Sequence, residues 1–414
     1  MRRVLDTAVR ADPYPLWNGI REHGPVWLDG GVVVFSSHAH CAEVLRSPAA
    51  HAVVPPAGCP VPHGRTPLPD APGVREASAL ARRVLTPEVL AGVEEFLRGR
   101  VDDLLDSVAA RGRLEAVTDL AYPLPVAAIC RLFGLPRTEE TRLHRLAMPL
   151  SRMWEPHPAV DGTEAPGGAE QRRAQAALDG YVAELVERRG DDVGQGLLAP
   201  VLASLPPGRP TARQVWELFR ELLVSGHEST AALLSNTVMA LLRAPHVLDA
   251  VRREPGYAEQ VVEEVLRADP PFQLLQRRAA EDLDVCGVRV PAGTTMLLLL
   301  AAAHRDPGLR PAADVFAPGS GADGGHLAFG LGDRFCPGAP LARLAGRLVC
   351  VRFAQRVAAP RFATGTPSYR PNVALRGLRA LWVDADGFSG RDLPWDRPLP
   401  PPRTSLSLSE GRAS

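Results

Sequence analysis

Between residues 211 and 243 apolar side chains recur at three- and four-residue spacing. That period predicts a single helix of roughly 30 residues, about 45 Å long at the helical rise. A helix of that length crosses a whole globular molecule, and the rest of the chain has to pack around it. The same spacing predicts further helices over 117–133, 139–154, 169–189, 257–267 and 341–357. Short β-type runs are fewer. Val26–Leu28 and Val32–Phe35 flank the turn Asp29-Gly30-Gly31 and read as a hairpin. Leu283–Val285, Val288–Val290 and residues 294–300 follow, then a region near 374–383. Helices dominate and the strands are segregated, so the fold class is α+β, mainly α. Residues 49–73 and 155–168 lack periodicity and read as long loops. Residues 1–388 read as one domain. Residues 389–414, rich in Pro, Ser and Arg, read as a disordered tail.

Composition removes several kinds of chemistry. The chain of 414 residues carries 47 basic and 47 acidic side chains, and every basic one is arginine. Without lysine there is no Schiff base to a carbonyl and no P-loop. A net charge of zero argues against nucleic acid as a partner. The longest apolar run, 296–303, is too short to span a bilayer, and Met1-Arg2-Arg3 leads into no apolar stretch of the secretory kind. The expectation is a soluble, cytoplasmic protein with no membrane partner. Six scattered cysteines without a Cys-x-x-Cys pair read as neither a disulfide framework nor a zinc site.

One cysteine stands apart. Phe329-Gly330-Leu331-Gly332-Asp333-Arg334-Phe335-Cys336-Pro337-Gly338 places a thiol on a glycine-rich loop just before a helix, with Pro337 near its first position. Glycines let the backbone pass close to something flat or bulky. Amides at a helix start stabilise a thiolate and lower its pKa. A thiolate so placed suits an axial position on haem iron. A dinucleotide fingerprint fits poorly, because Phe335 stands where its third glycine belongs.

This segment resembles the haem-binding signature of the cytochrome P-450 family. Three further landmarks occur in the family's order: Ser225-Gly226-His227-Glu228-Ser229-Thr230 inside the long helix, Glu264-Val265-Leu266-Arg267, and Arg277 six residues after Pro271. Asp12-Pro13-Tyr14-Pro15, His304-Arg305-Asp306-Pro307 and Leu375-Arg376-Gly377-Leu378 are similar to bacterial members. The resemblance runs over roughly residues 10–385. It implies the family's fold, with haem b (iron protoporphyrin IX) between the long helix and the cysteine loop.

By the same resemblance Cys336 is the metal ligand. Phe329, Gly330 and Gly338 shape the loop around its sulfur, and Arg277 and Arg334 reach the haem propionates. Gly226 lets the helix approach haem and dioxygen, and Glu228 with Ser229 forms an acid–alcohol pair that delivers protons. Glu264 and Arg267 belong to a buried structural network rather than a solvated surface pair. Ser229, for its part, also has the geometry to bond back to the carbonyl of Ser225.

Several positions depart from the family pattern. Ser229 replaces a threonine, Arg334 a histidine, and Val74 and Ser78 occupy propionate-binding positions that Arg75, Arg82 or Arg83 would have to cover. The arginine that completes the Glu264–Arg267 network is replaced near Ser320, and Ala345 replaces an acid. The resemblance implies a monooxygenase of a mid-sized, moderately hydrophobic small molecule in specialised metabolism, supplied with electrons by a ferredoxin and ferredoxin reductase. The departures keep open a peroxide-driven, coupling, cyclising or isomerising enzyme, and a non-catalytic haem-binding partner protein is the alternative of another class. Residues 49–73, 149–170, 222–229, 272–275 and 371–374 are expected to line the substrate space, and Arg82, Arg83 and Arg347 to form a basic docking face.

Overall fold

The computed structural model describes residues 2–52, 72–163, 166–205, 210–320, 325–363 and 367–396. The long helix runs from Ala212 to Arg243 and is capped at Thr211 by a reciprocal capping box with Gln214. It packs on the helix Ala339–Arg356 that follows the cysteine loop, and on Pro72–Val84, Pro123–Leu132 and Gly168–Arg189. These share one large apolar core, in which Trp216, Phe219 and Phe133 are fully buried.

Two expected helices are interrupted. Residues 116–133 divide into a wide turn, Ala116–Ala121, and a helix, Pro123–Leu132. Pro123 has no N–H to continue the first ladder but starts the second readily. Residues 139–154 divide into Glu140–Ala147 and a tighter stretch, Met148–Trp154, that contains Pro149. The loop expected over 155–168 holds a one-turn helix, His157–Val160.

The expected hairpin is present, with Trp27 opposite Val33. It forms the edge of a five-stranded sheet ordered Val26–Leu28, Val32–Phe35, Thr295–Leu298, Leu275–Ala279 and Ala50–Ala52. Arg277 lies in that sheet between Met296 and Ala52. Smaller sheets stand apart, as expected for a mainly α chain. Among the described residues no single helix is long and apolar enough to cross a membrane.

The expected tail begins too early at 389. The Ser389 amide donates to the Arg356 carbonyl, Arg352 donates to the carbonyls of Arg391 and Leu393, and Trp395 lies beneath Arg352 at 4.3 Å. Residues 397–414 lie outside the described residues, as does 53–71, most of the first long loop.

Candidate active site

Gly330 and Gly332 adopt left-handed backbone, at φ +71° and +65°. The reversal brings Cys336 back against Phe329, whose carbonyl accepts the Cys336 N–H at 2.8 Å. The helix then begins at Ala339, one residue after Gly338, and the proline of its first turn is Pro340, not Pro337. The backbone amides of Gly338 and Ala339 point at the sulfur. In the chain alone the thiol is not lowered as expected: burial pushes its pKa up, and the two amides only partly counter it. The helix start thus supplies donors to the sulfur without ionising it.

Two side-chain groups hold this loop. Arg343 lies 4.5 Å above the Phe329 ring and makes a two-pronged bond to Glu263 at 2.7 and 2.9 Å. Burial alone would raise the Glu263 carboxyl, but Arg343 and His326 outweigh it and bring its pKa down to about 2. On the other side His304 Nε2 accepts the Leu327 amide at 2.7 Å. Its Nδ1 therefore carries the hydrogen and donates to the Arg267 carbonyl at 3.1 Å. Full burial keeps this ring neutral.

Arg267 is the hub behind it. Its guanidinium grips both oxygens of Glu264 at 2.8 Å and donates to the carbonyls of His304, Ala313 and Val315. Both partners of the pair are buried, as the resemblance implies and unlike a surface pair of the same spacing. The third arginine of the network comes from an unexpected place. Arg310 reaches Glu264 at 3.2 Å and Ser320 at 2.7 Å. Ser320 marks the gap in the motif, and a cation ten residues earlier in the chain fills it.

The other expected site residues lie on the long helix. Gly226 faces open space, since a Cβ there would meet nothing within 4 Å. Glu228 is buried beside it. Tyr122 donates to its Oε1 at 2.8 Å, Arg370 stands 3.3 Å from the same oxygen, and Oε2 has no hydrogen-bond partner. Burial raises the Glu228 pKa, opposed by Arg370 and Tyr122, so this carboxyl retains a proton more readily than an exposed one. His227 is fully buried, contacts His144 at 3.0 Å between ring nitrogens, and is pushed by burial down to about 3. The Ser229 hydroxyl donates to the Ser225 carbonyl at 2.6 Å. It makes the local back-bond and is not joined to Glu228.

The arginines expected at the propionates converge on one edge of the sheet. Arg277 pairs through its backbone with Ala52 and donates to the Gln276 carbonyl at 2.8 Å, while Arg334 donates to the Ala50 carbonyl. Of the arginines that would cover Val74 and Ser78, Arg82 reaches the cysteine loop, at the Asp333 carbonyl. Arg347 is paired with Glu94 at 2.8 Å, so it adds less to a basic face than its position implied.

Sequence reasoning did not find Tyr122, His144, Arg370, Arg310 or Glu155. The last is a buried carboxylate that accepts the amides of Val373 and Ala374 at 2.8–3.2 Å. Each acts on a partner far away in sequence, where a linear motif has no signal.

A partly accessible thiol with two amides at its sulfur, on a loop turned by two left-handed glycines, and arginines beside the strand Ala50–Ala52 fit a flat, dianionic, iron-bearing group. The chain belongs to the cytochrome P450 family, whose model matches residues 145–358. It is accordingly a haem-dependent oxidoreductase of the monooxygenase type, with haem b as cofactor. The monooxygenase PikC of Streptomyces venezuelae is 31% identical over 403 residues, covering 90% of each chain. The 6-deoxyerythronolide B hydroxylase of Saccharopolyspora erythraea is 32% identical over 318 residues, covering 74% of this chain and 75% of that one. Among solved structures, ligand-free CYP164A2 of Mycobacterium smegmatis superposes with a TM-score of 0.82 at 36% identity, covering 92% of this chain and 98% of the other.

Proposed function

We propose that this enzyme hydroxylates, or otherwise inserts one oxygen atom into, a mid-sized and moderately hydrophobic small molecule of specialised metabolism. It acts in the cytoplasm, with electrons from a separate ferredoxin and ferredoxin reductase. The observation that carries this reading is the sulfur of Cys336, approached by the Gly338 and Ala339 amides on a loop that turns through left-handed Gly330 and Gly332. PikC, the 6-deoxyerythronolide B hydroxylase and the vitamin D(3) 25-hydroxylase of Pseudonocardia autotrophica, a relative at 31% identity, support an oxygenating role by their names.

In this reading Cys336 ligates the iron, and Phe329, Gly330 and Gly338 hold the loop around its sulfur. Arg277 and Arg334 pair with the propionates, where planar guanidinium groups bind carboxylates in two-pronged fashion. Haem with a thiolate ligand supplies dioxygen activation. The chain's own part is to position, to exclude water and to hold protons. Glu228 is the proton-holding group of the pair, because its carboxyl is buried and its Oε2 is uncommitted. Ser229 contributes through the helix backbone that it hydrogen-bonds.

The test is the carbon monoxide difference spectrum of the reduced protein. The red-shifted thiolate band is expected, Cys336→Ala abolishes it, and its absence from the parent overturns the reading. The bond from Ser229 to Ser225 favours one second reading, a peroxide-driven oxidation that needs no relay to dioxygen. Turnover with hydrogen peroxide alone, matching that with ferredoxin and reductant, would establish it instead.

A further inference from the structure

The long helix is covered almost everywhere. From Leu222 to Met239 every residue is buried except Ser225, Gly226, Ser229 and Thr230. These keep accessible surface on the side where Gly226 meets open space, and Glu221 keeps some one turn earlier. Glu221, Ser225 and Ser229 are four residues apart and form one row. Hydrogen bonds run along it: Ser229 donates to the Ser225 carbonyl at 2.6 Å, and the Ser225 hydroxyl donates to Glu221 Oε1 at 2.7 Å. The row borders the open space at Gly226, since Ser225 and Ser229 flank that glycine on the only stretch of this part of the helix that keeps accessible surface.

Glu221 is the ionisable group of this row, and it is poorly satisfied. Among the described residues it makes no ion pair. Its neighbour Arg220 is engaged with Glu217 at 2.8 Å and with Asp179 at 3.7 Å. Burial raises the proton affinity of Glu221 above that of a free glutamate, with Ser225 and Arg220 only partly offsetting it. A desolvated carboxylate whose nearest cation, Arg220, is shared with Glu217 and Asp179 is costly, and a cation delivered by a ligand relieves that cost. Aliphatic side chains would fill the same position at no electrostatic penalty.

We infer that Glu221 anchors a cationic nitrogen of the substrate, so that the substrate class is an amphiphile with an apolar body and a protonated or quaternary amine. The inference rests on the monooxygenase reading for the location of the substrate. The amine sits against Glu221, one turn from Ser225, and the apolar body extends along Gly226 toward the reacting position. Glu221 therefore selects substrates and sets which carbon is presented, without joining the chemistry.

The test uses ferric haem-loaded protein and two probes of the same shape, phenylbutyltrimethylammonium and its neutral carbon isostere. Neither can ligate iron, so any change in haem spin state reports occupancy of the substrate space. The parent is expected to bind the cation more tightly than the isostere. Glu221→Gln should weaken the cation about tenfold, the size of one charge-assisted contact, and leave the isostere unchanged. Glu221→Asp, which keeps the charge on a shorter stem, should fall between them. Matching absorption spectra of the three proteins establish that each has folded around haem.

Equal affinity of parent and Glu221→Gln for the cation overturns the inference. So does a parent that prefers the isostere, and so does calorimetric binding of the cation that leaves the haem spectrum untouched. Because binding is read without turnover, these outcomes are independent of the carbon monoxide test. A chain with the thiolate band and no cation preference remains a monooxygenase of neutral substrates.

Discussion

Replacing Glu155 by glutamine should remove a loss of stability that this protein undergoes as pH rises through the acid range. Glu155 ends the Met148–Trp154 stretch, and both its oxygens accept amide hydrogens from Val373 and Ala374. With the bond from Asn372 to Ser151, it ties two segments expected to line the substrate space. Burial outweighs those amides and the nearby Arg10 and Arg152, and it lifts the carboxyl from 4.5 to about 7. The folded state therefore binds the proton more tightly than the unfolded chain does. Between those two values the folded state is protonated and the unfolded state is not, so stability falls as pH rises, and the loss is complete above about 7. The size of the loss is about 3 kcal/mol, or roughly 4 °C in melting temperature for a chain of this length. Glutamine keeps an oxygen for the two amides and has no proton to lose. Thermal unfolding of both haem-loaded proteins, followed by circular dichroism from pH 4.5 to pH 8, checks this. The parent should lose about 4 °C relative to Glu155→Gln across that range. Parallel curves would refute the burial argument. A parent that gains relative to the variant would show that the amides hold Glu155 ionised.

Arg267→Leu strands Glu264 as an uncompensated buried charge and should cost about 3–5 kcal/mol, whereas Arg310→Leu, removing a peripheral partner, should cost about 1 kcal/mol. Urea unfolding separates the two, and equal losses would contradict the hub assigned to Arg267. His304→Leu leaves the Leu327 amide without its acceptor and should destabilise by about 1–3 kcal/mol, with lower haem retention on gel filtration. Arg370→Leu removes the cation beside Glu228, so the Glu228 carboxyl should hold its proton to higher pH. The peroxide released per electron consumed, measured against pH with a surrogate ferredoxin and reductase, should move its midpoint upward. An unmoved or lowered midpoint would detach Glu228 from proton supply.

The parts of the fold that depend on local spacing were legible in the chain. The period over 211–243 became the helix Ala212–Arg243, and Thr211 capped it as a Thr-x-x-Gln box does. The cysteine loop was legible because glycine permits the left-handed backbone that Gly330 and Gly332 adopt there. What spacing could not show were pairs formed across the fold. Tyr122 meets Glu228 across 106 residues and Glu155 meets Val373 across 218. Arg310 supplies a cation that the motif expects further along. The burial of the Cys336 thiol was hidden for a related reason, since desolvation is a property of everything packed around the sulfur. The Ser229 back-bond, by contrast, is local, and its four-residue spacing had displayed it.

The segment from Ser389 to Trp395 has a mechanical meaning. The helix behind the cysteine, Ala339–Arg356, is fixed at its first turn by Arg343 on Glu263. At its last turn Arg352 and Arg356 bind Asp102 and the backbone of residues 389–393. It is a beam clamped at both ends, and the clamp at the far end is the chain's own C-terminal strap. A truncation after Phe388 would leave two buried arginines half-satisfied and free that end of the beam to pivot. The cysteine sits at the other end, so the position of its sulfur depends on a strap that never approaches the active site.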